Sequence, residues 1–378
     1  MSNILRVLEI VSSLRLDSGV SSFIFNNNSF LEEYQFQFDY VCHDIKSRKI
    51  KKSQLKGSPI YHLPELSLPN ILHLSKIINE EFFLKKTYDI VHCNVPNAGF
   101  LYMPLAKLAG IRTRIVHSHA DSRTSDSFIK DMRNRILIKI GNSFSNHFMA
   151  CSNSAGQFLF GENCFDVVYN GIDESKFIFD KDIREKIRKD MGFSNRHVVA
   201  CVGRLCKQKN QKFLLDLLPH LVEELPDVLV VFVGTGEDES SLKNQVKSMQ
   251  LENNVRFLGL RQDVNQLYCA FDLLAMPSFY EGFPYVAIEA QNSNLPILFS
   301  ENITHECDLN GLNHRVALTD KNLWLTLMSD ILRRSVIETR MQPLPEGIRR
   351  MNVKHTSAQF FRTMRRYVDL DTAMTNHN

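Results

Sequence analysis

The sequence predicts an α/β protein built on two doubly wound parallel sheets, one in each half of the chain. Three observations carry that expectation. At 378 residues the chain is too long for one ordinary core and suits two domains. Short apolar, β-branched runs alternate with helix-length segments as far as residue 300. Glycine turns follow several of those runs, at the strand ends where open α/β sheets take their ligands.

In the first half, strands are expected at 4–12, 36–42, 59–63, 88–93, 114–117 and 147–151, with 167–171 closing the domain. Helical periodicity starts near Val20 and recurs at 71–86, 97–109 and 126–144. The charged stretch 173–190 is expected to contain the crossing into the second domain. There the alternation resumes, with strands at 197–203, 228–234, 255–258, 271–276 and 296–300. Helices at 209–225, 238–250, 263–270 and 285–293 lie between them. A basic, helix-like segment follows at 356–369 and ends in a polar run. The resulting division is 1–175, 176–355 and a tail at 356–378. Two such sheets facing each other would gather their strand C-termini along one cleft.

Composition narrows the classes. Apolar residues make up 44% and charged residues 23%, with a net charge of +3. The eight cysteines form no C-x-x-C pair and mostly sit in apolar contexts, so buried free thiols in a reducing compartment are expected. Arg6 and Glu9 interrupt the N-terminal apolar run, which argues against a secretory signal. No charge-free window approaches the roughly 20 residues that span a bilayer. The expected location is cytoplasmic, on the inner face of the membrane if attached at all. Charge is uneven: residues 41–140 carry 17 Lys/Arg against 8 Asp/Glu, and 333–366 carry 9 against 2. The clusters at 46–52 and 130–139 are the densest. Two readings stand, a solvated face or a basic apron on anionic lipid. Nucleic acid fits poorly, because no aromatic-interleaved or helix-turn-helix pattern accompanies the charge.

The most telling stretch runs from Glu281 to Glu289, two carboxylates eight positions apart. The apolar run 271–276 precedes it, closed by Pro277 and Ser278. Gly282, Phe283 and Pro284 then lead into a helix, with Pro284 suited to its first position. Strand, loop and helix N-terminus would bring main-chain N–H groups and a positive dipole end to a phosphate. Carboxylates beside it would grip hydroxyl groups, which suggests a nucleotide-sugar site. Gly203 and Arg204 follow another strand, and Lys209 stands five residues beyond Arg204. The arginine offers a fork and the lysine a mobile charge, so the two would converge on a diphosphate. Gly234 and Gly236 begin a dinucleotide pattern that fails where Glu239 replaces the third glycine. Gly259 and Leu260 supply a further strand-end turn whose main chain would read a base edge. In the first half, Gly19 follows strand one, and His117 and His119 alternate to one side of a strand end. His119 is the better placed to bond a sugar hydroxyl or shuttle a proton, whereas for His92 and His117 structural hydrogen bonding stands as an equal alternative. Metal is not expected: the histidines lack a third ligand at recognisable spacing, and the lone D-x-D, Asp369-Leu-Asp371, lies in the tail.

Taken together these motifs resemble the family 4 retaining glycosyltransferases of GT-B fold, especially bacterial enzymes of capsule, exopolysaccharide and O-antigen assembly. The matching elements are the Gly203-Arg204 turn with Lys209-Asn210, the Gly234-x-Gly236 turn, the strand ending at Gly259, and the Glu281-x7-Glu289 unit. A looser likeness runs through His92, His117-Ser118-His119, Ser152 and the 169–173 segment. The resemblance implies a GT-B fold whose tail helix packs back on the first domain. It also implies that Arg204 and Lys209 hold the donor diphosphate and that Glu289 binds the ribose. Glu281 would contact the transferred sugar beside the 282–284 backbone, His119 would face the donor sugar and acceptor, and Gly19 would lie near the phosphates. No cofactor or metal is implied beyond a UDP- or GDP-sugar as substrate. The acceptor implied is a saccharide hydroxyl, on a polyprenyl-linked chain. Ser18 stands where the family has a second glycine, Tyr285 replaces a small aliphatic residue, and Gln291–Asn294 replaces an Ala- and Gly-containing turn. Both later changes are expected beside the donor. A nucleotide-sugar epimerase on the same scaffold and a non-catalytic nucleotide-sugar-binding partner subunit are the alternatives.

Overall fold

The computed structural model describes residues 4–15, 18–43, 55–119, 128–311, 313–334 and 337–375. The basic cluster at 46–52, Asp17 and residues 126–127 of an expected helix lie outside the described residues. The chain forms two compact units, Met1–Gly171 with Val353–Asn378, and Ile172–Asn352.

The first unit holds a seven-stranded, wholly parallel sheet. Its strands are β1 (Leu5–Val11), β2 (Phe36–Cys42), β3 (Ile60–His62), β4 (Ile90–Cys93), β5 (Thr113–Ser118), β6 (His147–Ala150) and β7 (Asp166–Val167). Their order is β3-β2-β1-β4-β5-β6-β7. Val7 and Leu8 are consecutive and both fully buried, so both faces of β1 are covered. The second unit carries β8 (His197–Val202), β9 (Val228–Val233), β10 (Val255–Phe257), β11 (Leu273–Met276), β12 (Ile297–Ser300) and β13 (His314–Val316). These also run parallel, in the order β10-β9-β8-β11-β12-β13. In each sheet the order reverses beside the first strand, between β1 and β4 and between β8 and β11. Loops leaving those strands are where ligands settle.

Three segments differ from expectation. Part of the charged stretch 173–190 is the helix Lys181–Asp190, capped by Asp180, whose carboxylate accepts from the Ile183 N–H at 2.8 Å. Its inward face is made of arginine, which hydropathy cannot reveal. Arg184 donates to the carbonyls of Cys269 and Phe271 at 3.0 Å and pairs with Asp272, and Arg188 reaches the same carboxylate at 3.1 Å. The weakly patterned 301–350 region supplies β13 and the helix Lys321–Arg333, which buries Trp324 against Phe213. The tail helix runs Val353–Thr375, longer than its periodicity implied.

That tail helix belongs to the first unit. Phe360 and Phe361 are buried, Phe360 edge-on to Phe23 and Phe361 against Phe36. Near its end Tyr367 stacks on His147 at 3.9 Å. Asp371 accepts from Thr113 Oγ1 at 2.7 Å and Asn146 Nδ2 at 2.9 Å, and meets His147 Nε2 at 3.0 Å. The second carboxylate of the D-x-D therefore anchors the helix to β5 and β6. All eight cysteines are free; seven are buried and Cys164 is exposed. Among the described residues no helix is long and apolar enough to cross a membrane.

Candidate functional site

Two loops flank the point where the second sheet reverses, and the chain stitches them together. After β8, Gly203 takes φ 137° and the Lys207–Lys209 turn ends on Asn210 in the left-handed region at φ 52°. Asn210 Nδ2 donates to the Pro277 carbonyl at 3.1 Å, Gln208 Nε2 to the Tyr280 carbonyl at 3.1 Å, and the Phe279 N–H to the Gln208 carbonyl at 2.9 Å. Held this way, Lys209 Nζ lies 2.6 Å from Glu281 Oε1, with both side chains mostly enclosed. Burial pulls the Lys209 ammonium down, but the Glu281 carboxylate more than offsets it and the net shift is upward. The lysine is a firm cation, already paired.

Gly203 and Gly234 are glycine for steric reasons. Gly234 has φ 133°, and a Cβ there would stand 2.1 Å from the Gly203 carbonyl oxygen. A Cβ on Gly236 would stand 2.0 Å from the Leu205 carbonyl oxygen. The Leu205 N–H donates to Thr235 and the Asp238 N–H to Leu205, both at 3.0 Å. The incomplete glycine pattern thus exists to let the loops after β8 and β9 touch. The Gly234 N–H in turn donates to the Gly259 carbonyl at 2.8 Å, leaving Leu260 exposed on the same strand-end edge.

Arg204 behaves differently from Lys209. Its fork engages Glu237 through Nε at 3.1 Å and Nη2 at 2.7 Å, and both side chains are about half exposed. Each of the two cations holds its own carboxylate, Lys209 that of Glu281 and Arg204 that of Glu237. Gly282, Phe283 and Pro284 are buried beyond Glu281. Pro284 is the N-cap rather than the first residue of the helix Tyr285–Asn292, with φ −72° and ψ 128°. Further along that helix Glu289 accepts from the Tyr268 hydroxyl at 2.9 Å. Burial pushes its carboxyl up to about 7, against the opposing pull of that hydrogen bond. Tyr268 and Glu237 are partners that no motif marked.

The polar turn at 291–294 carries structural hydrogen bonds of its own. Gln291 is fully buried, donating to Cys307 O at 2.7 Å and accepting from Leu309 N–H at 2.7 Å and Asn313 Nδ2 at 2.9 Å. Asn294, at φ 48°, donates to the Gln342 carbonyl at 2.7 Å. Both hold neighbouring loops.

In the first unit Gly19 opens the helix Gly19–Asn28 after Ser18. His119 follows β5, and its ring stacks on His117 at 4.1 Å, so both lie on one side as the alternation required. Its Nε2 lies 2.7 Å from Asn94 Oδ1. Burial, helped by the neighbouring His92, pulls His119 down to about 3, so the ring is neutral at ordinary pH. His92 and His117 are fully buried. Among the described residues no group of three His, Cys, Asp or Glu side chains is arranged to hold a metal ion.

Two parallel sheets, each reversing at its first strand, with a stitched lysine–glutamate loop pair, are the parts of a GT-B glycosyltransferase. Comparison with known families agrees. Residues 18–176 match the family described as Glycosyltransferase Family 4, and residues 183–331 match Glycosyl transferases group 1. The chain belongs to the family 4 glycosyltransferases of GT-B fold. It is 28% identical over 359 residues to the Escherichia coli UDP-Gal:alpha-D-GlcNAc-diphosphoundecaprenol alpha-1,3-galactosyltransferase, covering 86% of this chain and 91% of that one. It is 28% identical over 235 residues to the Staphylococcus aureus capsular polysaccharide biosynthesis glycosyltransferase CapH, covering 60% and 63%. Among solved structures, Anabaena HepE in complex with UDP and glucose superposes with a TM-score of 0.75 at 19% identity, covering 95% and 99%.

Proposed function

We propose that this glycosyltransferase moves a hexose from a UDP-sugar to a hydroxyl of a polyprenyl-linked saccharide, in assembling a cell-surface polysaccharide. The Lys209–Glu281 pair, set where the second sheet reverses, is the observation that carries the reading. A diphosphate arriving there would take Lys209 as counter-ion, and Arg204 would exchange Glu237 for phosphate. Glu281, released from the lysine, would accept from hydroxyls of the transferred sugar. Glu289 would accept from the ribose. The leaving diphosphate gains charge in the transition state, so preorganised cations and the helix N-terminus beyond Glu281 are the expected source of acceleration. UDP is favoured over GDP by the UDP-Gal enzyme and the UDP-bound neighbour. The lipid-linked acceptor and the polysaccharide role rest on the names of the E. coli and S. aureus relatives.

We read the transfer as metal-independent and retaining, with the leaving phosphate taking the acceptor's proton. Turnover unchanged by a chelator and an axial anomeric signal in the product are the corresponding results. The main test is substitution. Lys209→Ala and Glu281→Ala should each lower turnover at least about a hundredfold, the scale of losing one transition-state contact to a forming anion. Circular dichroism should stay native. Turnover near that of the unmodified chain in both variants would overturn the assignment.

A further inference from the structure

The first unit holds a buried polar array that the proposed chemistry does not use. Glu9 on β1, His92 on β4 and His117 on β5 are 1%, 0% and 0% exposed, and Asn94, just past β4, is 5% exposed. Phe23 packs edge-on against His117 and His119, and Phe360 lies against His92, which seals the array. A carboxylate placed so deep in an apolar strand demands hydrogen-bond donors on both oxygens.

Following the hydrogens assigns every group. Asn94 Nδ2 donates to Glu9 Oε1 at 2.6 Å and faces the Ile10 carbonyl at 3.4 Å. Both partners are acceptors, so the amide cannot be turned round. Asn94 Oδ1 must then be what meets His119 Nε2 at 2.7 Å, and that nitrogen carries the proton. On its other oxygen Glu9 accepts from His92 Nδ1 at 2.8 Å, which leaves His92 Nε2 to accept from His117 Nδ1 at 3.2 Å. His117 Nε2 has no hydrogen-bond partner among the described residues. An orphaned acceptor is cheaper to bury than an orphaned N–H, so the direction is consistent throughout.

We propose that Glu9 and Asn94 are positioning residues that lock His119 as its Nε2–H tautomer. The lock leaves Nδ1 as the ring's one acceptor, for a hydroxyl of a saccharide bound on the first unit at the end of β5. His119 then orients that hydroxyl and does not shuttle a proton. The functional half of this inference rests on the glycosyltransfer reading above; the tautomer does not.

Long-range nitrogen–proton NMR on histidine-labelled protein tests it, with His119 picked out among 13 histidines by the His119→Asn variant. The native chain should show His119 as a single neutral Nε2–H species at pH 7. Asn94→Leu should release the ring to a tautomer mixture. In the same variant kcat should fall about tenfold with little change in KM, measured on whichever of UDP-galactose, UDP-glucose and GDP-mannose is turned over. The double variant Glu9→Gln with Asn94→Asp exchanges the charge and restores the pairings from His92 to residue 9, from residue 9 to residue 94 and from His119 to residue 94, giving up only the 3.4 Å contact with the Ile10 carbonyl. Because the acceptor facing His119 Nε2–H is restored, the tautomer and kcat should both recover. A native Nδ1–H or charged His119, or an unchanged tautomer in Asn94→Leu, overturns the lock. A shifted tautomer with unchanged kcat overturns its role at the sugar. Absence of turnover with any of the three donors, alongside the expected spectra, counts against the transfer reading and leaves the lock standing.

Discussion

Glu289 carries the largest consequence at the scale of single residues. Its carboxyl lies near 7 in the fold against an ordinary 4.5, with burial as the leading cause. Between those values the folded chain holds a proton that the unfolded chain has released. Stability from this group is therefore full below about 4.5 and declines as pH rises through about 7. Glu289→Gln should be near neutral at pH 5 and stabilising at pH 8, by on the order of 1–2 kcal/mol in urea unfolding. The same group makes a binding prediction. An ionised carboxylate accepting ribose hydroxyls favours the charged form, so UDP affinity should rise as pH passes 7, with proton uptake by buffer in calorimetry. Arg204 offers a second case. Its ion pair with Glu237 is half exposed and worth about 0–1 kcal/mol. Glu237→Gln should tighten UDP binding by roughly two- to fivefold, by removing a competitor for the fork.

At the scale of elements, the loops after β8 and β9 depend on the absence of a side chain. Gly234→Ala would bring a methyl into the Gly203 carbonyl at an unfavourable φ and should cost about 2–4 kcal/mol in chemical unfolding. A loss under 1 kcal/mol would mean the loops part easily. The tail helix has its own anchor. Asp371 is partly raised by burial, but bonds from His147 and Thr113 bring it net below 3.8. Its contribution is present above about 4 and lost as pH falls through the lower folded value. Asp371→Ala should accelerate amide exchange across the last turns of Val353–Thr375 at pH 7 while leaving β8–β12 unchanged.

At the scale of the whole molecule, the basic surface has a definite geometry on the helix Phe128–Phe144. Met132, Ile136 and Ile140 are exposed four residues apart, with Arg135 and Lys139 exposed among them. Apolar and cationic side chains on one face are what an anionic bilayer interface takes. Binding to phosphatidylglycerol vesicles should weaken with salt, and Arg135→Glu with Lys139→Glu should reduce it at least tenfold at about 1 kcal/mol per cation. Salt-insensitive binding, or an unaffected double variant, would leave this face merely solvated.

Strand periodicity, the glycine positions and the Glu281–Glu289 spacing were legible in the chain, because each reports a local requirement. Hydrophobic alternation records which faces are buried, and glycine after a strand records a turn that no other residue makes cheaply. These features determined the fold and the family. Partnership did not show, since it depends on residues distant in sequence. The pairing of Lys209 with Glu281, the diversion of Arg204 to Glu237, and the use of Gln291 and Asn294 as loop anchors were decided by packing. So was the character of Glu9, which in the sequence only broke an apolar run. Folded, it lies 1% exposed and sets the direction of a hydrogen-bond chain ending at His119, because a buried carboxylate dictates where its neighbours' protons must be.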